Sequence, residues 1–339
     1  MPRQFTVRVH YPTPEHGRIV LRTELDWDSD LEPASVSDDR TRFEFYSEGE
    51  GTYLYFKPML LLGDRRLWSV GANYLAVHSD RDGIDIYPYF MSDSRGSIST
   101  PVELYAQALE RPARIRVYQP PGYGENTLAR YPVMYMHDGT NLFFPEEAFM
   151  GSEWQVDETM DQLDEMNVID QALIVGIYAG DRIHEYTMPG YEAYGRFITG
   201  ELVPWMADNY RVAGGPNNTA VMGSSLGGVV SFYLGWQYPE IFGAVGCLSS
   251  TFSWRDNLID RVWSEDRRPI RIYLDSGWPR DNFEVTRCMR DCLLARGYQR
   301  GADLLYFAFP HAAHNERAWA KRLFLPFQFF FAKLPVQPG

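Results

Sequence analysis

Lysine is nearly missing from this chain: of 32 basic residues in 339, only Lys57, Lys321 and Lys333 are lysines. Against 45 acidic residues this leaves a net charge of −13, which points away from nucleic acid and anionic membrane as partners. Cysteine is scarce too. Cys247, Cys288 and Cys292 cannot all pair. Cys288 and Cys292, four apart on an expected helix with no histidine near, read as core residues rather than metal ligands or a disulfide. No apolar run is long enough to span a bilayer, and the alternating stretch Met1 to His10 lacks the apolar core of a secretion signal. These absences lead us to expect a cytoplasmic protein in a reducing compartment. Internal repeats and low-complexity tracts are also missing. What remains is 45% hydrophobic and 23% charged residues, the balance of a globular protein with ample core. At this length one large and one small domain are expected.

From Phe5 to about Phe90 the apolar residues recur with period two: Phe5, Val7 and Val9; Ile19, Leu21 and Leu25; Phe43 and Phe45; Tyr53 and Tyr55; then Trp68 and Val70. Turn clusters such as Pro14-Glu-His-Gly17, Ser37-Asp-Asp39, Glu48-Gly-Glu-Gly51 and Asp80-Arg-Asp-Gly83 interrupt them. This predicts a small all-β sandwich of immunoglobulin type over residues 1–92, its strands antiparallel and its aromatics mainly in the core. Met91 to Thr100 reads as a linker.

Over residues 93–339 the pattern changes. Compact apolar runs at 114–118, 133–137, 172–177, 219–222, 243–248, 270–274 and 304–309 alternate with helical segments at 154–166, 194–210, 226–238, 284–296 and 316–331. Such alternation implies an α/β domain with a mainly parallel sheet covered on both faces and catalytic groups at the carboxyl ends of its strands.

One of those ends carries Gly223-Ser-Ser-Leu-Gly227, a G-x-S-x-G pattern between a strand and a helix that Pro239 stops. Alone, the pattern arises by chance in roughly one in ten chains of this length. In this setting it marks Ser225 as candidate nucleophile, with the Leu226 N–H free to donate to an oxyanion at the positive end of the helix. A serine hydroxyl needs a base, and the base an orienting acid, in the chain order serine, acid, histidine. Downstream of Ser225 only His311 and His314 remain, both after the last strand; His314, just before the final helix, is preferred. The acid belongs to Asp275-Ser-Gly-Trp-Pro-Arg-Asp281: Asp281 is preferred and Asp275 is the alternative. Gly139 or Thr140, in the loop after residues 133–137, would supply the second oxyanion amide, a contribution of about 2.7–4 kcal/mol in the transition state. His137 and Asp138 have no further ligands at metal-binding spacing, so no metal is expected.

Val117-Tyr-Gln-Pro-Pro-Gly-Tyr123, His137-Asp-Gly-Thr-Asn-Leu-Phe143, Trp154-Gln-Val-Asp157, Arg182 with Glu185-Tyr186, the Gly223–Gly228 elbow and His314-Asn-Glu316 with Trp319 together define a resemblance. The chain resembles the esterase D-like group of α/β-hydrolases, which includes enterochelin and feruloyl esterases. The resemblance implies an α/β-hydrolase fold, Ser225 as nucleophile, His314 as base, an acid after the seventh core strand and no cofactor. It also implies a β-sandwich ahead of the hydrolase domain, as in enterochelin esterases. Trp278-Pro279-Arg280, lying between Gly277 and Asp281, departs from the pattern and bears on the acid. The acidic balance points away from an anionic iron-catecholate.

The expected activity is hydrolysis of a small, sugar or phenolic ester through an acyl-enzyme. Asn141, Arg182, Trp254 and Trp278 are candidate pocket residues. Two alternatives stay open: an acyltransferase using the same acyl-enzyme, and a non-catalytic glycan-binding protein on a hydrolase scaffold. Association into a homo-oligomer is also left open.

Overall fold

The computed structural model describes residues 3–49, 51–77 and 83–333. Glu50 and residues 80–82, parts of two turns expected from the sequence, lie outside that set. The chain forms two compact units. One comprises Met1–Gly96, Pro120–Ala129 and Glu165–Asn167; the other holds the rest.

In the first unit the described strands are β1 (Arg3–His10), β2 (Arg18–Thr23), β3 (Asp26–Leu31), β4 (Ser35–Val36), β5 (Arg42–Gly49), β6 (Tyr53–Leu62), β7 (Arg65–Trp68), β8 (Tyr74–Val77) and β9 (Ile84–Ile86). They make one sheet ordered β4-β5-β1-β9 and another ordered β3-β2-β6-β7 with β8 on β6. Alternate residues meet in one core: Phe5, Val7 and Val9 with Phe43, Phe45, Ile19, Leu21, Leu54 and Phe56. Two expectations are corrected. On β6 the inward residues are Leu54 and Phe56, so Tyr53 and Tyr55 are exposed, as are Leu25 and Trp68; with a period of two, moving the inward set by one residue exchanges the faces. The strands are also not uniformly antiparallel, because β1 pairs with β9 in parallel through Val7↔Ile84 and Val9↔Ile86.

The stretch read as a linker is bonded. The Glu125 carboxylate accepts the N–H groups of Phe90 (2.6 Å), Met91 (2.9 Å) and Ser92 (2.7 Å), and the Tyr11 hydroxyl at 2.9 Å. Burial works against charge on Glu125, but the hydrogen bonds outweigh it and hold the carboxyl below its usual range. Asn126 adds bonds to the carbonyls of His10 and Pro88, both at 2.8 Å.

The second unit is built on β10 (Ser97–Ile98), β11 (Val102–Ala106), β12 (Arg111–Gln119), β13 (Val133–His137), β14 (Leu173–Ile177), β15 (Thr219–Ser224), β16 (Ala244–Leu248), β17 (Arg271–Trp278) and β18 (Leu304–Pro310). The sheet order is β10-β12-β14-β13-β15-β16-β17-β18, with β11 on β12. β13 to β18 pair in parallel, while β10, β11 and β14 are antiparallel to β12. The fold is therefore mixed α/β. Its helices are α1 (Val156–Glu165), α2 (Arg182–Glu185), α3 (Gly190–Phe197), α4 (Val203–Asn209), α5 (Leu226–Gln237), α6 (Leu258–Ser264), α7 (Phe283–Ala295), α8 (Glu316–Ala320) and α9 (Phe324–Phe331). The helix expected over 194–210 is instead α3, a π-helical turn at Ile198–Leu202, and α4.

The single helix expected over 316–331 is broken between α8 and α9. Pro326 has no N–H to give to the carbonyl four residues back, so Arg322 falls in the gap and turns inward. On α7, Cys292 is buried but Cys288 is exposed, so the core reading holds for one of the two. No described helix is long and apolar enough to cross a membrane.

Helix α5 is apolar on every side and buried from Leu226 to Trp236. A helix with no polar face must be covered all round. Glycine lets it approach the sheet: a Cβ on Gly235 would lie 2.1 Å from Val245 Cγ2 of β16. In an open helix Gly→Ala gains about 1 kcal/mol. Here the overpacking reverses the sign, so Gly235→Ala should lower the unfolding free energy in urea by about 1–3 kcal/mol, and Val245→Ala in the same chain should recover part of the loss. A more stable Gly235→Ala variant would contradict this packing.

Candidate active site

The parallel register brings the carboxyl ends of the central strands to one level. Ser224 pairs with Leu248 and Leu248 with Asp275, so the ends of β15 and β16 are level with the middle of β17, which runs three residues further.

Ser225 is the turn from β15 into α5. Its φ of 55° and ψ of −119° are strained for a side-chain-bearing residue. The turn is held from both sides: the Ser225 N–H donates to Leu248 O at 2.9 Å, and its carbonyl accepts from Val229 and Thr251 at 3.2 and 3.4 Å. Gly223 is required because a Cβ there would sit 2.6 Å from the Gly227 backbone carbon. Gly227 in turn faces the loop after β13, its virtual Cβ 3.2 Å from Asp138 Oδ2 and 3.3 Å from His137 Cβ. The elbow and that loop are thus adjacent.

In the loop, Asp138 adopts φ 58°, and a 3-10 turn runs from Gly139 to Asn141. Gly139 packs on β14, where a Cβ would come within 2.6 Å of the Gly176 carbonyl carbon. The N–H groups of Gly139, Thr140 and Leu226 all stand at the start of a helical turn, where no earlier carbonyl of that turn can take them. Asn141 is engaged in structure: its Oδ1 accepts the Phe149 N–H at 2.9 Å and its Nδ2 lies 3.5 Å from Glu316 Oε1. Arg182 forms a two-pronged bridge to Asp138 at 2.7 and 2.9 Å and reaches Ser224 O at 3.5 Å. Its charge is therefore matched.

His314 and Asp281 are joined. His314 Nδ1 donates to Asp281 Oδ1 at 2.5 Å, and the His314 side chain remains 39% exposed, open to an incoming molecule. Asp281 Oδ2 accepts the Gly277 N–H at 2.7 Å and the Ser249 hydroxyl at 2.6 Å. Burial would raise the Asp281 pKa, but the bonds from His314, Ser249 and Gly277 prevail and hold it below the ordinary carboxylate range. The alternative acid, Asp275, makes no hydrogen bond to His314. Strand β17 runs on to Trp278, paired with Pro310, so Asp275 lies inside the sheet rather than at its end. There it accepts from the Tyr273 hydroxyl at 2.9 Å and pairs with Arg322 at 3.0 Å. Burial pushes its carboxyl up to about 6, against the pull of Arg322 and the hydrogen bonds. His311 shares the His314 loop, with its N–H on Trp278 O and its ring making no bond to Asp281. No hydrogen bond joins the Ser225 hydroxyl to His314; such bonds are often long before substrate tightens the site.

Three residues complete the site that sequence reasoning did not assign a role in it. Ser249, buried at φ 45°, accepts from Trp319 Nε1 at 3.0 Å and Arg322 Nη2 at 2.6 Å. Trp319 also stands edge-on to the His314 ring, centroids 5.1 Å apart. The available signal was Arg322 itself, a cation between Trp319 and the apolar run from Leu323. Trp254, on the loop after β16, and Trp278, the last residue of β17, are about half exposed. Among the described residues no group of three His, Cys, Asp or Glu could hold a metal ion. A concavity of about 490 Å³ lies elsewhere, lined by Tyr191, Tyr233 and Gln237 toward the other end of α5, and contains none of the residues above.

The solved structures extend the likeness. A ferulic acid esterase matches with TM-score 0.60 at 20% identity, over 70% of this chain and 98% of that one. The enterobactin esterase FES from Shigella flexneri, in the presence of enterobactin, matches with TM-score 0.59 at 15% identity, over 96% of this chain and 92% of that one. Among curated sequences, the uncharacterized protein YbbA of Bacillus subtilis (strain 168) is 26% identical over 180 residues, 48% of this chain and 67% of its own length. An endo-1,4-beta-xylanase/feruloyl esterase of Xylanibacter ruminicola is 26% identical over 171 residues, 49% of this chain and 23% of that longer protein. Fold and comparisons define the class, a carboxylic ester hydrolase. Within it, the chain belongs to the family described as "Putative esterase", whose model matches residues 106–328.

His137 follows from the same loop. It is fully buried, with Nδ1 3.0 Å from the Tyr194 hydroxyl, and burial, reinforced by the Arg182 cation, pushes its pKa down to about 3. Its ordinary value is near 6.5, so between about 6.5 and 3 the unfolded chain binds a proton that the fold refuses. Stability contributed by neutral His137 is present above that window and lost as pH falls through it. Urea midpoints measured from pH 7 to 4 should therefore drop more steeply for wild type than for His137→Gln. Parallel curves would contradict this.

Proposed function

We propose that the protein is a serine carboxylesterase acting through Ser225, His314 and Asp281. In this reading an α/β-hydrolase domain over residues 93–339 follows an immunoglobulin-like sandwich over residues 1–92. The observation that carries it is the 2.5 Å His314–Asp281 pair, on the loops after β17 and β18, at the same carboxyl edge of the parallel sheet as the strained Ser225 turn that follows β15, two strands from β17. With Nδ1 committed to the acid, the neutral ring has Nε2 as its basic atom, the tautomer a general base requires.

Ser225 Oγ adds to the ester carbonyl carbon as its proton passes to His314 Nε2. The carbonyl oxygen takes the negative charge between the N–H groups of Leu226 and of Gly139 or Thr140, and Asp281 stabilises the imidazolium. Collapse breaks the C–O bond, and the alcohol leaves with the proton from His314. Water, deprotonated by the same nitrogen, then cleaves the acyl-enzyme and regenerates Ser225.

The acyl part we favour is phenolic or small and uncharged. Arg182, the cation nearest the elbow in the contacts described, is already paired with Asp138, so an anionic catecholate finds no spare charge there. Trp254 and Trp278 offer exposed aromatic faces that suit a ring.

With 4-nitrophenyl acetate, Ser225→Ala and His314→Ala should each lower kcat by a factor on the order of 10³ or more, and the double variant should be no worse than either alone, since the two act as a unit. Near-wild-type turnover by Ser225→Ala would overturn the assignment. Methyl ferulate, an acetylated sugar and a catecholate ester, compared by kcat/KM, rank the acyl groups; preference for the catecholate would overturn the substrate reading.

A further inference from the structure

Arg322 is an unusual residue to bury. It is 2% exposed, and although its guanidinium lies over the Phe309 ring at 5.0 Å, its Nε and Nη1 find no hydrogen-bond partner. A buried ion pair rarely repays its desolvation, and idle donors add to the cost, so stability is a poor reason for it. Its working atom is Nη2, which lies 2.6 Å from Ser249 Oγ, 3.0 Å from Asp275 Oδ1 and 3.8 Å from Asp281 Oδ2.

A serine hydroxyl has one proton and two lone pairs. Arg322 and Trp319 occupy both lone pairs of Ser249, which leaves its proton to Asp281 Oδ2 alone. The guanidinium thereby orients the hydroxyl that orients the acid. The same cation would compete with His314 for that acid if nothing restrained it. Asp275 does: it takes Arg322 at bonding distance and leaves Asp281 0.8 Å farther away, 3.8 against 3.0 Å.

We propose that Arg322 and Asp275 are positioning residues of the esterase site: a matched buried pair in which Arg322 fixes Ser249 onto Asp281, and Asp275 keeps Arg322 from drawing Asp281 off His314. The proposal rests on the Ser225–His314–Asp281 reading. The charged groups facing the pair are few. Arg322 comes from the α8–α9 junction, Asp281 from the loop after β17, and His314 from the loop after β18. Tyr273 on β17 and Cys247 on β16 also face Asp275, but burial pushes both far above their usual pKa, so neither adds charge. Above about pH 6, where Asp275 carries its charge, two carboxylates and one guanidinium leave a surplus negative charge for the imidazolium that forms during turnover.

The test is the pH dependence of kcat and kcat/KM with a 4-nitrophenyl ester in the full chain. Asp275→Asn releases an uncompensated cation beside the Asp281–His314 pair, which disfavours imidazolium. The acid limb of kcat/KM should move down by about one pH unit, with a fall in kcat. Arg322→Met frees the Ser249 proton, so kcat should fall about tenfold with KM within twofold, and Arg322→Lys should recover part of it. An unmoved limb in Asp275→Asn, or an unchanged kcat in Arg322→Met, overturns the proposal. If either variant fails to fold by circular dichroism, Ser249→Ala cuts the same link without touching a buried charge; a tenfold fall in kcat supports the proposal and an unchanged kcat overturns it. Ser225→Ala and His314→Ala run alongside. If they stay active the underlying reading is at fault; if they are dead while Arg322→Met is unaffected, only this inference fails.

Discussion

Backbone touching backbone at the β15–α5 turn is the constraint on which the site depends. Gly223 and Gly227 approach so closely that a single methyl on the first would overlap the main chain of the second. Between them Ser225 sits at positive φ, at a cost of about 1–3 kcal/mol for a residue with a side chain. The strain persists because neighbours over-determine the turn, with Leu248 and Thr251 gripping Ser225 on both its amide and its carbonyl. Everything the site needs from the rest of the sheet is measured from that fixed point.

The parallel register then does the assembling. Ser224, Leu248 and Asp275 stand in a row across three strands, so the residues after the first two meet the groups around the third without any long loop having to find its way. Ser249 is where the row converges: it joins β16, the acid loop and the α8–α9 junction through one hydroxyl. Rigidity there comes from saturation of its hydrogen-bonding capacity rather than from packing alone. His314, by contrast, is bonded to Asp281 and flanked by Trp319 but stays 39% exposed, which in the proposed reading suits a group that exchanges protons with arriving molecules.

Much of this arrangement was legible in the sequence. The apolar runs placed the parallel strands to within a few residues, because a strand buried on both faces leaves an unbroken apolar signature. The sharp β15–α5 turn at Ser225 was marked by its glycine spacing, and the loop bearing His314 by its place after the last strand. Asp281 was preferred over Asp275 from the turn that Gly277 and Pro279 mark; what the sequence did not show is that β17 continues to Trp278 by pairing with β18, a contact between distant segments that keeps Asp275 inside the sheet. Ser249 was hidden for the same reason, since no local pattern marks it, whereas Arg322 carried one signal, a lone cation between Trp319 and the apolar run from Leu323. The inward face of β6 was misread because tyrosines at 53 and 55 imitate a buried alternation while leaving their hydroxyls in water. The broken last helix did carry a local signal, Pro326, which outweighed the apolar periodicity on either side of it.

The N-terminal unit has a property that matters for how such a protein can be inherited. Its closing stretch, Phe90 to Ser92, hangs from the carboxylate of Glu125, a residue delivered only after β10, β11 and β12 have been threaded through the other unit. A recombination breakpoint in the serine-rich segment near residue 96 would therefore sever the module from its own clasp. Unlike a bead on a string, it has no clean seam at which evolution could detach it and pass it to another catalytic partner.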